Sequence, residues 1–128
     1  MHVLPARRRV PRILVVDDHP SITGLMSQLL TLRGYDVVTA SDAEEAGAEV
    51  RRLAPDLILS DVKMPGKSGY EFCRELKSDP VTRLIPFVLI TGLTDSTDKL
   101  RGIEAGADDF LNKPVLAEEL TADRKSVV

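Results

Sequence analysis

Apolar positions along this chain follow two alternating rhythms. Short continuous runs occupy residues 12–16 (RILVV), 35–40 (YDVVTA), 56–60 (DLILS), 86–92 (PFVLITG) and 108–112 (DDFLN). Runs of this length, rich in β-branched residues, read as strands buried on both faces. Between them the apolar positions take helical spacing. Ile22, Leu25, Met26, Leu29 and Leu30 mark a first helix, with Gly34 as its stop. Ser41 with Glu44 reads as a capping box that opens a second helix, with Ala43, Ala46, Val50 and Leu53 on one face. Ser68 with Glu71 repeats the signal for a third, which turns Tyr70, Cys73 and Leu76 inward and ends at Pro80. A fourth helix runs from Ser96 to Ala105, with Leu100 and Ile103 inside and Gly106 at its stop. A last helix begins after Pro114.

Five strands alternating with five helices predict an α/β fold, a doubly wound parallel sheet with helices on both faces. The 128 residues make one domain, expected over 12–125, preceded by a flexible basic arm over 1–11 and with no effector domain present. Charge and composition only remove alternatives. A net charge of −3 gives no field for bulk nucleic-acid binding. The single cysteine, Cys73, excludes an internal disulfide and a cysteine-based zinc site, and it suits a reducing compartment. After Arg7, Arg8 and Arg9 there is no apolar leader core, and no run is long enough to span a bilayer, so the expected location is the cytoplasm.

In a sheet of this kind ligands bind beyond the carboxyl ends of the strands. Strand one ends in Asp17 and Asp18, strand three in Asp61, strand four in Thr91, strand five in Lys113 and Pro114. Taken singly each has an ordinary reading: a turn with a helix cap for the acid pair, a turn residue for Asp61, a backbone-bonded hydroxyl for Thr91, a solvated amine for Lys113. Their joint placement at one edge does not. Three carboxylates in one crevice repel unless a hard cation relieves them, and an all-oxygen set suits Mg²⁺, with Mn²⁺ able to stand in. Lys113 and Thr91 would hold the remaining oxygens of a small anion, and Asp61 would be the nucleophile of an acyl phosphate. His19 beside the acid pair reads as an exposed residue at the start of helix one in preference to a general base or phosphodonor. Cys73 reads as a small core residue.

The runs "ILVVDDHP", "DLILSDVKMPGKSGYE", "VLITG" and "GADDFLNKP" resemble, in order and spacing, those of the receiver domains of two-component response regulators. The resemblance extends from Arg12 to about Leu120. It implies the flavodoxin-like (βα)5 fold with strand order 2-1-3-4-5. It implies Asp61 as phosphoacceptor, Asp18 as direct Mg²⁺ ligand, Asp17 as the acid that holds the metal largely through water, and the Lys63 backbone carbonyl as a further ligand. Thr91 matches the switch hydroxyl, Phe110 the aromatic that changes rotamer with it, and Lys113 the phosphoryl-pairing lysine, joined to Pro114 by a cis bond. Similar proteins take a phosphoryl group from a sensor histidine kinase or a histidine phosphotransfer protein. They catalyse that transfer and their own slow dephosphorylation, and signal through the face of helix four, strand five and helix five to an effector domain or a second copy. Neither direct nucleic-acid binding nor a membrane is expected. The stretch 90–114 also resembles receivers attached to enzymes of cyclic-dinucleotide turnover, with those attached to DNA-binding domains nearly as close.

Two departures stand out. Residues 66–69 read "GKSG" where family members often carry an acid, though Ser68 still caps the helix. At the end, Asp123 and Arg124 replace an arginine and an apolar residue, which thins the stripe Leu116, Leu120, Val127 on helix five. Lys99, Asp109 and Glu119 still suit the charge pattern of the signalling face. A flavodoxin-type carrier would need a Gly- and Ser/Thr-rich phosphate loop where "DDHP" stands, and a haloacid-dehalogenase-type phosphatase would place its nucleophile after strand one. A pseudo-receiver would lack one of the five key residues.

Overall fold

The computed structural model describes residues 10–91 and 96–112, the side chains of 96–99 and 112 excepted. Five strands form one parallel sheet in the order β2-β1-β3-β4-β5: β1 (Arg12–Val16), β2 (Asp36–Ala40), β3 (Leu57–Asp61), β4 (Phe87–Thr91) and β5 (Asp109–Asn112). Four helices connect them: α1 (Pro20–Leu32), α2 (Ala43–Leu53), α3 (Gly69–Ser78) and α4 (Ser96–Ala105). This is the expected α/β architecture and strand order. The expected last helix lies outside the described residues.

Alternation along the strands divides the core in two. Leu14 and Val16 of β1 point into the larger cluster, with Ile58, Phe87 and Leu89 and the inner faces of α2, α3 and α4. Ile13 and Val15 point the other way, into a smaller cluster with Leu59, Ile90 and Met26 of α1. Phe72 of α3 meets Phe87 of β4 edge to face, with centroids 5.6 Å apart, in the middle of the larger cluster. Cys73 is fully buried there, and burial pushes its thiol up to about 11, so it is a packing group.

The helix ends follow local chemistry. Gly34 takes φ +95°, open only to glycine without strain, and Tyr35 N–H to Leu30 O with Gly34 N–H to Thr31 O completes a Schellman stop for α1. Ser68 and Glu71 form the expected capping box of α3. The box of α2 sits one residue later than Ser41 with Glu44. Asp42 is the N-cap and accepts from Glu45 N–H at 2.8 Å, while Glu45 reaches back to Ser41 N–H at 2.7 Å and to its hydroxyl at 2.8 Å. An aspartate caps as well as a serine, and the helix buries Ala43, Ala46 and Val50.

The inward face of α4 differs from expectation. Leu100 and Ile103 are 56% and 61% exposed, and among the described side chains of α4 the buried positions are Gly102 and Ala105. Phe110 explains this: a Cβ on Gly102 would stand 2.2 Å from the Phe110 ring. The helix packs on that ring through a position with no side chain, which rotates the larger apolar residues outward.

At the opposite edge from the acids, Lys77 ties three elements together. Its Nζ bonds Arg83 O at 3.0 Å, Ile85 O at 2.9 Å and Asp108 Oδ2 at 2.7 Å, and Asp108 also accepts from Phe87 N–H. Burial raises the Asp108 carboxyl, but the bonds from Lys77 and Phe87 and the Lys77 charge outweigh it and hold the group below its ordinary value. A depressed folded value gives stability present above the unfolded value, about 3.9, and lost as pH falls through the folded one. Asp108 is half exposed, so the expected effect is small: Asp108→Asn loses under about 1 kcal/mol at pH 7. Acid titration followed by circular dichroism should show the difference from wild type shrinking below about pH 4. A constant difference down to pH 2 would refute this role.

Candidate functional site

The acids reach one another because adjacent parallel strands deliver them. β1 pairs with β3 and β3 with β4, so the carboxyl ends of these three strands lie side by side. Asp61 is the last residue of β3, in register with Ile90. The strand therefore runs one residue further than 56–60 and carries the acid within its ladder. Asp56 falls outside, where its carboxylate accepts from Arg12 N–H at 2.8 Å. Thr91, one residue past Ile90, ends β4 and is 2% exposed. Asp17 follows β1 directly, and its N–H bonds Ala40 O at the end of β2.

Asp17 and Asp61 are 2% and 4% exposed, while Asp18 is half-buried. Oδ1 of Asp61 accepts from Val62 N–H at 2.8 Å, which fixes the carboxylate relative to the turn after β3. Oδ1 of Asp17 accepts from His19 N–H at 2.9 Å and lies 2.9 Å from His19 Nδ1. Oδ1 of Asp18 is shielded from solvent and accepts no hydrogen bond among the described residues, although His19 Nδ1 stands 3.2 Å away. One donor atom from each of Asp17, Asp18, His19 and Asp61 falls within a 4.8 Å spread. Ligands about 2.1 Å from one cation lie at most about 4.2 Å apart, so a small contraction brings the set to a divalent ion. Lys63, two residues past Asp61, has an exposed side chain in the following turn.

An open cleft of about 190 Å³ lies beside the acid pair, lined by Asp17, Asp18, Thr23, Thr39, Ser41 and Glu45. A larger groove of about 640 Å³ separates α2 from α3, but none of the three clustered acids lines it and its wall mixes Arg51 and Lys67 with Glu44 and Glu75. The small cleft reaches the acid pair, and Asp61 does not line it.

Of the residues expected from sequence, Asp17, Asp18 and Asp61 are clustered, Thr91 ends the strand beside Asp61, and Phe110 lies half-buried against the core under α4. Lys113 and Pro114, with the cis bond between them, lie outside the described residues. Sequence reasoning missed Gly69, the first residue of α3. A Cβ there would stand 2.2 Å from the Asp61 carbonyl oxygen, and its N–H bonds Val62 O at 2.8 Å. Glycine at that point lets α3 start against the backbone of the acid.

Comparison with known proteins agrees with this fold. The model of the response regulator receiver domain matches residues 13–124. The chain belongs to that family. The receiver is 51% identical over 104 residues to the response regulator PleD of Caulobacter vibrioides, covering 81% of this chain and 23% of that protein. It is 42% identical over 113 residues to the DNA-binding dual master transcriptional regulator RpaA of Synechocystis, covering 88% of this chain and 47% of that one. It thus spans about a quarter to a half of these relatives. Among solved structures, the chemotaxis response regulator CheY4 of Vibrio cholerae superposes with a TM-score of 0.80 at 33% identity, covering 94% of this receiver and all of that chain. No helix among the described residues is long and apolar enough to cross a membrane.

Proposed function

We propose that this receiver is a Mg²⁺-dependent phospho-aspartate switch, with Asp61 as the acceptor of a phosphoryl group from the phosphohistidine of a sensor kinase or phosphotransfer protein. The observation that carries it is the buried Asp61 carboxylate held within one 4.8 Å cluster with Asp17 and Asp18. Two buried carboxylates beside a half-buried third are costly unless a cation answers them. Asp17, Asp18, Asp61 and the Lys63 carbonyl would hold Mg²⁺, which offsets charge between the carboxylates and the transferring phosphoryl oxygens.

The Val62 N–H orients Asp61, and Oδ2 attacks phosphorus. The P–N bond of the donor breaks, its electron pair stays on the imidazole nitrogen, and that nitrogen takes a proton from water. Catalysis here is mostly positioning. Thr91 and Lys113 are assigned to the phosphoryl oxygens. The signal leaves through α4 and β5. Thr91 moves toward the phosphoryl group and Phe110, now packed over Gly102, turns into the space it leaves. An effector domain or a second copy would read that face.

The test is incubation with acetyl phosphate, with and without Mg²⁺, followed by intact-mass and peptide mass spectrometry. One hydroxylamine-labile phosphoryl group on Asp61 that needs Mg²⁺ is the expected result. No adduct under either condition would favour a pseudo-receiver, in which the acids bind a metal or partner without chemistry.

A further inference from the structure

We infer that His19 is a direct ligand in the acid cluster and makes it a mixed nitrogen–oxygen site, selective for a borderline transition-metal ion over Mg²⁺. This rests on the metal reading above. His19 occupies the N-cap of α1 in extended backbone, φ −99° and ψ 109°, yet its side chain makes no cap bond. Serine, threonine, aspartate or asparagine would serve that position better. The ring instead folds back over the acids. Its Nδ1 stands 2.9 Å from Asp17 Oδ1 and 3.2 Å from Asp18 Oδ1, facing both carboxylates of the pair. A ring nitrogen also falls within the same 4.8 Å spread as an Asp61 oxygen.

Carboxylates and carbonyls alone favour hard ions such as Mg²⁺. An imidazole nitrogen shifts preference toward Co²⁺, Ni²⁺ and Zn²⁺, along the ordinary affinity series of divalent metals. The ring is 60% exposed, so it can re-orient toward an entering ion without disturbing the core. The ring competes for Mg²⁺ weakly and for softer ions strongly, so the switch is open to occupation by a metal other than its working one.

The protein, free of any polyhistidine tag and of phosphodonor, is titrated calorimetrically with Co²⁺ and separately with Mg²⁺. His19→Gln is expected to weaken Co²⁺ binding about tenfold and to leave Mg²⁺ within about twofold. His19→Asn, which improves the α1 cap and so protects the fold, is expected to lose the same selectivity. In the Co²⁺-loaded wild type a hyperfine-shifted, exchangeable imidazole N–H proton should appear by NMR and vanish in both variants. His2, the other histidine of the sequence, remains in each variant as the control. An unchanged Co²⁺-to-Mg²⁺ ratio in the variants, or an N–H signal that survives them, overturns the inference. If both ions bind and Asp18→Asn weakens both, the metal reading survives that outcome. If neither ion binds wild type, the two fall together.

Discussion

Asp61→Asn is expected to take up no phosphoryl group from acetyl phosphate, and Asp18→Asn to take it up about 100-fold more slowly, while Asp18→Asn melts higher than wild type in metal-free buffer. The two directions have one cause. Asp61 is the nucleophile, and an amide cannot form the acyl phosphate. Asp18 supplies a shielded oxygen, Oδ1, that accepts no hydrogen bond among the described residues and so has lone pairs to offer an ion. Losing about 2.7 kcal/mol of charge stabilisation in the transition state corresponds to about two powers of ten in rate. In the folded protein without metal the same oxygen belongs to a like-charged cluster. Two unit charges about 4 Å apart cost about 1 kcal/mol even in a water-like dielectric, and asparagine removes that term. A gain of about 1 kcal/mol raises the melting temperature by about 4 °C in a domain of this size. Added Mg²⁺ should raise the wild-type melting temperature and leave that of Asp18→Asn unmoved. A lower melting point for Asp18→Asn in metal-free buffer would mean that Asp18 is a structural acid, and a wild-type phosphorylation rate in that variant would remove it from the metal site.

Much of this site was legible from strand ends alone. Parallel β1, β3 and β4 read as continuous apolar runs, and wherever such a run stops the next residue lies at the edge where ligands bind. Asp17, Asp18, Asp61 and Thr91 follow from that rule, and Gly34 and the Ser68–Glu71 box follow from helix-end chemistry. What pattern reading missed involved contacts it cannot weigh. Hydrophobic periodicity rewards large side chains, so it placed Leu100 and Ile103 inside α4. The structure instead buries Gly102, where the Phe110 ring leaves no room for a Cβ. The same bias hid Gly69, whose importance is the absence of a side chain. Lys77 and Asp108, 31 residues apart, carry no local signal of their bond. His19 gave a partial reading: it is exposed at the start of α1 as expected, but its ring faces the acids.

Gly69→Ala is expected to be the most damaging single-methyl addition in the described fold, lowering stability by about 3 kcal/mol and the melting temperature by about 10 °C. The added Cβ would stand 2.2 Å from Asp61 O and 3.1 Å from both Asp61 C and Val62 Cα. These are backbone atoms at the end of a central strand. Asp61 O also accepts from the buried Ser60 hydroxyl at 2.9 Å, so it cannot swing aside as a side chain can. Either α3 backs away from its cap or the Asp61 peptide shifts, and the second option moves the nucleophile. A displacement of about 1 Å at a reacting group can cost about 100-fold in rate, so phosphorylation of Asp61 should slow by between about 10- and 100-fold. Gly24→Ala is the control. Gly24 lies mid-helix in α1 with no atom within 4 Å of the new Cβ, and alanine there should add about 0.5–1 kcal/mol. Chemical denaturation of the pair should move the two midpoints in opposite directions. If Gly69→Ala unfolds with wild type, the start of α3 is free to adjust and Asp61 is not held by its contact with that helix. If it unfolds early yet is phosphorylated at the wild-type rate, the strain is taken up by α3 and the acid keeps its place.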